Sequence, residues 1–170
     1  DMSLHFSDYR SGERTFQLVT QVSGRSGRAE EQGKVVLQTY DPENYILRFA
    51  VNYDYEGFFK HEISLRRTTA FPPFAKIVRV MVVGEEEGKA LETLKEAYFS
   101  LKELFDAHTG DFLFFNKMKS PVKRIQNKFR YQVLMRITNE ALLPEIYERA
   151  LRCKTRDVNV YVEENPSNLS

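Results

Sequence analysis

After Pro72 and Pro73 the spacing of apolar residues changes period segment by segment, and this alternation constrains the fold more than any single motif does. Ile77 to Val83 is continuously apolar and β-branched, which predicts a buried strand. From Glu85 to His108 the apolar residues Leu91, Leu94, Tyr98, Leu101 and Phe105 fall on one stripe of a long helix. Phe112 to Phe115 predicts a short strand. Tyr131, Val133, Met135 and Ile137 alternate with Arg130, Gln132, Leu134 and Arg136, the period of a half-buried strand. Asn139 can cap a helix whose inner face is Leu143, Ile146, Tyr147, Ala150 and Leu151, with Pro144 tolerated in its first turn. Val158, Val160 and Val162 then alternate with polar neighbours in a last strand. The order β-α-β-β-α-β predicts an α+β fold of the split βαβ kind over residues 74–163. Such a fold is a four-stranded antiparallel sheet with two helices on one face.

The preceding residues are patterned less regularly. Residues 1–12 read as loop, Glu13 to Ser23 as a short helix ended by Gly24, and Gly24 to Gly33 as a Gly-punctuated loop. Val35, Val36 and Leu37 predict a strand over Lys34 to Thr39. Asp41 and Pro42 open a helix reaching about Val51, and Asp54 caps another from Tyr55 to about Thr69, stopped by the two prolines. This places a boundary near residue 50, with 1–50 as one region and 51–170 as a domain with a helical lead-in over 53–73. No repeat is visible beyond the two similar halves of the motif.

Charge separates along the chain. The net charge of +1 in 170 residues argues against a nucleic-acid partner only if the charges are evenly mixed. They are not. Between Asp111 and Glu140 no acid occurs, while Lys117, Lys119, Lys123, Arg124, Lys128, Arg130 and Arg136 do. Glu85 to Asp111 holds eight acids against Lys89, Lys95 and Lys102. A basic loop between the second and third strands, with Phe129 and Tyr131 beside it, suits phosphate neutralisation and base stacking. It suits equally a Lys-rich loop that keeps the sheet soluble. The candidate DNA contacts are Lys117, Lys119, Lys123, Arg124, Lys128, Arg130 and Tyr131. The lone Cys153 excludes an internal disulfide and a cysteine zinc cluster and fits a reducing, cytoplasmic compartment. Runs such as Val80 to Val83 are too short to span a membrane, and no signal-peptide pattern opens the chain. The first residue, Asp1, is not Met, which suggests a piece of a longer protein.

Several chemistries find no support. Gly84-Glu85-Glu86-Glu87-Gly88-Lys89-Ala90 is one spacer short of a phosphate loop, lacks the Ser or Thr, and sets carboxylates where an anion would bind. His5, His61 and His108 have no metal-ligand spacing. Glu163 and Glu164, adjacent on a strand, point to opposite faces and cannot form a carboxylate pair. Cys153, near a helix end beside Lys154, reads as an inert thiol rather than a reactive one.

The informative segment is Gln21-Val22-Ser23-Gly24-Arg25-Ser26-Gly27-Arg28. Its pattern Q-x-x-G-R-x-G-R resembles the sixth motif of superfamily 2 helicases, which lines the cleft between two motor lobes. A basic turn after a helix is the plainer alternative. Around it, Asp8-Tyr9-Arg10, Glu13-Arg14-Thr15-Phe16-Gln17-Leu18, Gln38-Thr39-Tyr40 with Pro42, Asp54-Tyr55 leading to Arg66-Arg67, Phe71-Pro72-Pro73-Phe74 and Arg130-Tyr131-Gln132 extend the likeness. Together these resemble the C-terminal portion of the primosomal protein N′ family, the PriA-type replication-restart DNA helicases, over nearly the whole chain. The likeness departs at Glu163-Glu164-Asn165-Pro166, where the family has an Asp-Val-Asp-Pro-like stretch.

The resemblance implies an ATP-dependent 3′→5′ DNA helicase that recognises stalled forks and starts primosome assembly. Two guanidiniums on a Gly-rich turn can stabilise charge building on a γ-phosphate. By resemblance Arg25 and Arg28 are arginine-finger candidates, Gln21 approaches nucleotide or water, and Gly24 and Gly27 allow close approach to nucleotide. The resemblance also makes 1–50 a remnant of a RecA-like second lobe and the following domain S10-like. The P-loop, the Asp-Glu box and the zinc-binding cysteines of the family lie upstream. ATP and Mg therefore belong to the longer protein, no cofactor is expected on this chain, and this chain alone is expected to be inactive. The implied partners are forked or single-stranded DNA, single-strand binding protein and primosomal proteins, in a nucleoid-associated setting. The alternative is a protein-docking and lobe-bracing domain with no DNA contact of its own. An RNA-recognition domain ranks last, because Lys128 to Met135 lacks the glycines its third strand needs. Strand 34–39, deprived of a lobe sheet, is expected to be disordered, docked on the domain or paired with another copy.

Overall fold

The computed structural model describes residues 9–25 and 34–167, and for residues 119–125 the backbone only. Among the described residues it is an α+β structure with five α-helices and one four-stranded antiparallel sheet. The chain divides into two compact units, Asp1–Thr69 and Ala70–Ser170.

The first unit contains helices α1 (Ser11–Arg25), α2 (Tyr45–Val51) and α3 (Tyr55–Thr69). Their apolar faces meet in a small core of Phe16, Val19, Ala50 and Phe58, where the Phe16 and Phe58 rings stack at 4.4 Å. Beside it Arg66 Nη2 donates to Glu13 Oε1 at 2.9 Å, to Glu62 Oε1 at 3.2 Å and to the Tyr9 carbonyl at 3.1 Å. Tyr45 donates to the other Glu62 oxygen at 3.0 Å. Glu62 is 7% exposed, and a carboxylate so buried is retained only because these donors satisfy it. The same contacts tie α3 to α1. The division into compact units falls after Thr69, which groups α3 with the first unit.

Three local expectations are corrected here. Gly24 does not end the first helix; α1 runs through it to Arg25, because glycine in a helix costs only about 1 kcal/mol and no left-handed turn is required. Lys34 to Thr39 is not a strand: it has no ladder partner among the described residues, and Val36 is 91% exposed. The α2 cap is Asn44, whose Oδ1 accepts from the Ile46 amide at 3.0 Å, rather than Asp41. The Asp54 cap holds, accepting from the Gly57 amide at 2.8 Å.

In the second unit the elements are β1 (Lys76–Gly84), α4 (Glu87–Ala107), β2 (Phe112–Ile125), β3 (Lys128–Ile137), α5 (Leu143–Arg152) and β4 (Val158–Glu164). The strand order is β2-β3-β1-β4, every pair antiparallel. One face carries Val78, Val80 and Val82 of β1, Tyr131, Val133, Met135 and Ile137 of β3, and Val158 and Val160 of β4. Ala90, Leu94, Leu101 and Leu104 of α4 and Ile146 and Ala150 of α5 join that cluster, so both helices cover one face. On the opposite face Ile77, Met81, Leu134 and Gln132 are also buried. The buried stripe of α4 is rotated from the expected one: Ala90, Leu94, Ala97, Leu101 and Leu104 face the core, while Leu91 is 36% exposed. Small residues at 90 and 97 let the helix lie close to the sheet, a role that a search for large apolar residues overlooks. The end of β4 is closed onto β1 by Asn165, whose backbone amide donates to the Ile77 carbonyl at 2.7 Å while its side chain accepts from the Ile77 amide.

Candidate nucleic-acid interface

The basic segment is not a loop. β2 continues to Ile125 and β3 begins at Lys128, so the cations lie on a two-stranded hairpin. Its turn is Gln126-Asn127 with φ of 49° and 66°, the left-handed pair that a two-residue type I′ connection needs. β2 is an edge strand, where Pro121 removes no ladder bond that the sheet depends on, and the register shifts between Lys119 and Arg124. An apolar run that ends at Phe115 hides this extension, because backbone pairing is indifferent to side-chain polarity.

Lys117 lies opposite Val133, and its Nζ sits 4.7 Å from the Tyr98 ring centroid on α4. Lys119 lies opposite Tyr131, Arg124 opposite Phe129, and Lys123 in the irregular stretch between them. Lys128 is exposed. Arg130 Nη2 lies 3.5 Å from the Tyr161 hydroxyl. Arg136 is held over the Phe71 ring at 4.9 Å, and burial lowers its pKa.

Tyr131 is a correction. It is 2% exposed in the core and donates to Glu87 Oε1 at 2.8 Å, so its ring is not offered to a base. Burial, with Glu87 second, pushes its pKa up to about 12. The aromatic residue beside the cations is instead Tyr161. A cleft of about 560 Å³ at the hairpin turn brings Lys128 and Arg130 together with Lys154, Arg156, Asn159 and Tyr161. Sequence reasoning passed over the last four, although Arg152, Lys154 and Arg156 form a visible basic run before the final strand.

Of the helicase-like motif, Gln21, Gly24 and Arg25 sit exposed at the C-terminal end of α1, turned from the face that buries Phe16 and Val19. Arg25 is exposed and has no ion-pair partner among the described residues. Gly27 and Arg28 lie outside the described residues. The adjacent acids take structural partners: Glu163 accepts from Arg79 Nε at 2.6 Å, and Glu164 from Lys76 at 2.7 Å and Tyr147 at 3.1 Å. Cys153 is half-buried against the Arg149 carbonyl, and burial raises its thiol pKa. Among the described residues no cluster of His, Cys, Asp and Glu is placed to hold a metal, and no helix is long and apolar enough to cross a membrane.

A four-stranded antiparallel sheet with two helices on one face and a cationic hairpin at its edge defines an α+β module. Residues 67–166 match the family model described as the primosomal protein N C-terminal domain, and the chain belongs to that family. It is 38% identical over 98% of its length to the replication restart protein PriA of Bacillus subtilis (strain 168), covering 21% of that protein. It is 35% identical over 80% of its length to the protein of the same name from Synechocystis, covering 16% of it. The chain thus spans about a fifth of the length of these relatives. Among solved structures, an uncharacterized protein from Thermotoga maritima is similar over 54% of this chain and 96% of its own, at 16% identity and a TM-score of 0.29. A score that low carries no argument about the fold.

Proposed function

We propose that the chain serves in replication restart as the C-terminal part of an ATP-dependent 3′→5′ DNA helicase, and that its own contribution is DNA binding through the β2–β3 hairpin. The observation that carries this reading is the gathering of Lys117, Lys119, Lys123, Arg124, Lys128 and Arg130 on one hairpin, with no acid between Asp111 and Glu140. Such a strip neutralises phosphates, and the relatives' name supplies the process. On this reading the second unit is a split βαβ domain of the S10-like kind, and the first is the end of a RecA-like lobe. Forked or single-stranded DNA, single-strand binding protein and primosomal proteins are its partners, in the cytoplasm at the nucleoid.

The motif residues have a conditional role. A nucleotide with Mg, held elsewhere in the longer protein, supplies the phosphoanhydride that is hydrolysed. Arg25 and Arg28 present cations to it, Gln21 approaches it, and Gly24 and Gly27 let the backbone come near. The 170-residue chain alone turns over no ATP.

Fluorescence anisotropy with forked and single-stranded DNA tests the binding. Replacing Lys117, Lys119, Lys123 and Arg124 by glutamine should weaken binding, and should flatten its salt dependence by about one unit of slope for each phosphate no longer neutralised. No binding at low salt, or binding indifferent to these changes, would sink the reading. That result would favour the second reading, a protein-docking and lobe-bracing domain, toward which the burial of Tyr131 points, because it withdraws one expected stacking ring from the basic strip.

A further inference from the structure

The first unit has a cleft of about 250 Å³ whose walls come from α1 and α3 alone. Tyr55 and Phe59, one turn apart on α3, are 65% and 51% exposed there, with ring centroids 6.4 Å apart. The buried Phe16 ring of α1 lies 6.1 Å from the Tyr55 ring and is tilted to it by 59°. Apolar side chains exposed singly are ordinary on a protein surface. Two exposed rings lining one cleft, backed by a third, form a patch that water solvates poorly.

The polar lining of the cleft is Glu13, Gln17, Glu62 and Arg66, two carboxylates against one guanidinium, so it is net negative. Arg66 is already bonded to Glu13, Glu62 and the Tyr9 carbonyl, and both Glu62 oxygens accept from Arg66 or Tyr45. Glu13 uses only Oε1 for Arg66; its Oε2 has no partner among the described residues, and the side chain is 41% exposed. Gln17 is exposed beside it. Aromatic faces next to an open carboxylate oxygen suit a cation on an apolar stem. The rings attract the charge and cover the methylenes, and the carboxylate takes the N–H groups. A guanidinium fits better than an ammonium, because it is flat, forked and more weakly hydrated. The volume lies below the range of about 300 to 1,000 Å³ usual for small-molecule sites and is the size of one long side chain.

We propose that the α1–α3 cleft is a docking site for an arginine side chain carried by a partner protein, with the guanidinium on the Tyr55 ring and hydrogen-bonded to Glu13 Oε2. Charge selects this occupant. An acidic segment meets repulsion from Glu13 and Glu62. A wholly apolar segment would cover the Glu13 carboxylate without giving its open oxygen a donor. The proposal does not depend on the DNA reading, whose residues all lie in the second unit.

The test is a proton–nitrogen correlation NMR titration of the 170-residue chain with a capped Ala-Leu-Arg-Leu-Ala peptide. Binding is followed at the Gln17 side-chain amide and at the backbone amides of Glu13, Phe59 and Ile63. The controls are the same peptide with Gln, Glu or Lys in place of Arg, and free arginine amide. The variants are E13Q and, separately, Y55L/F59L, which keeps apolar bulk at two exposed positions should E13Q fail to fold; circular dichroism checks both. The Arg peptide is expected to shift these resonances and the Gln peptide to bind about tenfold more weakly. Y55L/F59L should weaken the Arg peptide about fivefold, and E13Q should remove its advantage over the Gln peptide. A structural role for Glu13 would weaken both peptides alike, and that result overturns the proposal. So does equal binding of the Arg, Gln and Glu peptides, or binding that neither variant changes. Free arginine amide binding as well as the peptide assigns the cleft to a small guanidinium compound and overturns it. Shifts at these residues on diluting the chain without peptide give the cleft to a second copy, with the same consequence. None of these failures touches the anisotropy result for DNA.

Discussion

The Tyr131 hydroxyl joins the middle of the sheet to the first turn of α4 through Glu87. A phenol that must stay protonated to donate, in a site that opposes its ionised form, titrates later when folded than when unfolded. Its pKa rises from 10.0 to about 12, so the folded state holds its proton more tightly. The resulting stability is complete below pH 10 and is lost as pH rises from 10 toward 12. Tyr45, pushed to about 12 by burial and then Glu62, adds the same sign in the first unit. Thermal midpoints measured across pH 9 to 12 should therefore fall for the wild type. Y131F should start lower, having lost the hydrogen bond to Glu87, and should fall less steeply. Equal slopes would show that Tyr131 does not titrate against the fold. At the same scale, the opposite directions of Glu163 and Glu164 were legible in the sequence, because adjacent strand residues alternate faces. Their partners Arg79 and Lys76 were not legible, because strand pairing over more than 80 residues supplies them.

At the scale of elements, α1 carries the sharpest test. Gly24 is helical, and a methyl group built on it meets nothing within 4 Å among the described residues. G24A should therefore stabilise the helix by about 1 kcal/mol, read as a higher thermal midpoint or slower amide exchange near Val22 and Arg25. A loss of stability would mean that Gly24 lies outside the helix, ending it as the sequence pattern suggests. The hairpin and the 34–39 segment show opposite errors of local reading with one cause. Val35, Val36 and Leu37 favour a strand yet form none, because a strand exists only with a partner. Asn116 to Ile125 looks like a loop yet pairs with β3, because β3 offers it a ladder.

For the whole molecule, the two units differ in how much core they own. Every member of the large cluster, from Val78 to Val160, comes from the second unit. Residues 70–170 expressed alone are therefore expected to melt cooperatively with dispersed amide resonances; a fragment lacking a cooperative transition would show that the sheet needs the first unit. The sequence by itself determined the order of elements after Pro73, the antiparallel sheet with its helices on one side and the segregation of charge. Those features follow from near-neighbour sterics and from burial periodicity, which short windows of residues express. The tertiary structure alone decided that the basic segment is a hairpin, that Tyr131 is core, and that Lys154 and Arg156 line one cleft with Arg130. Those outcomes depend on β3 and β4 flanking β1 in a particular register, and register is set by the packing of the whole sheet against α4 and α5.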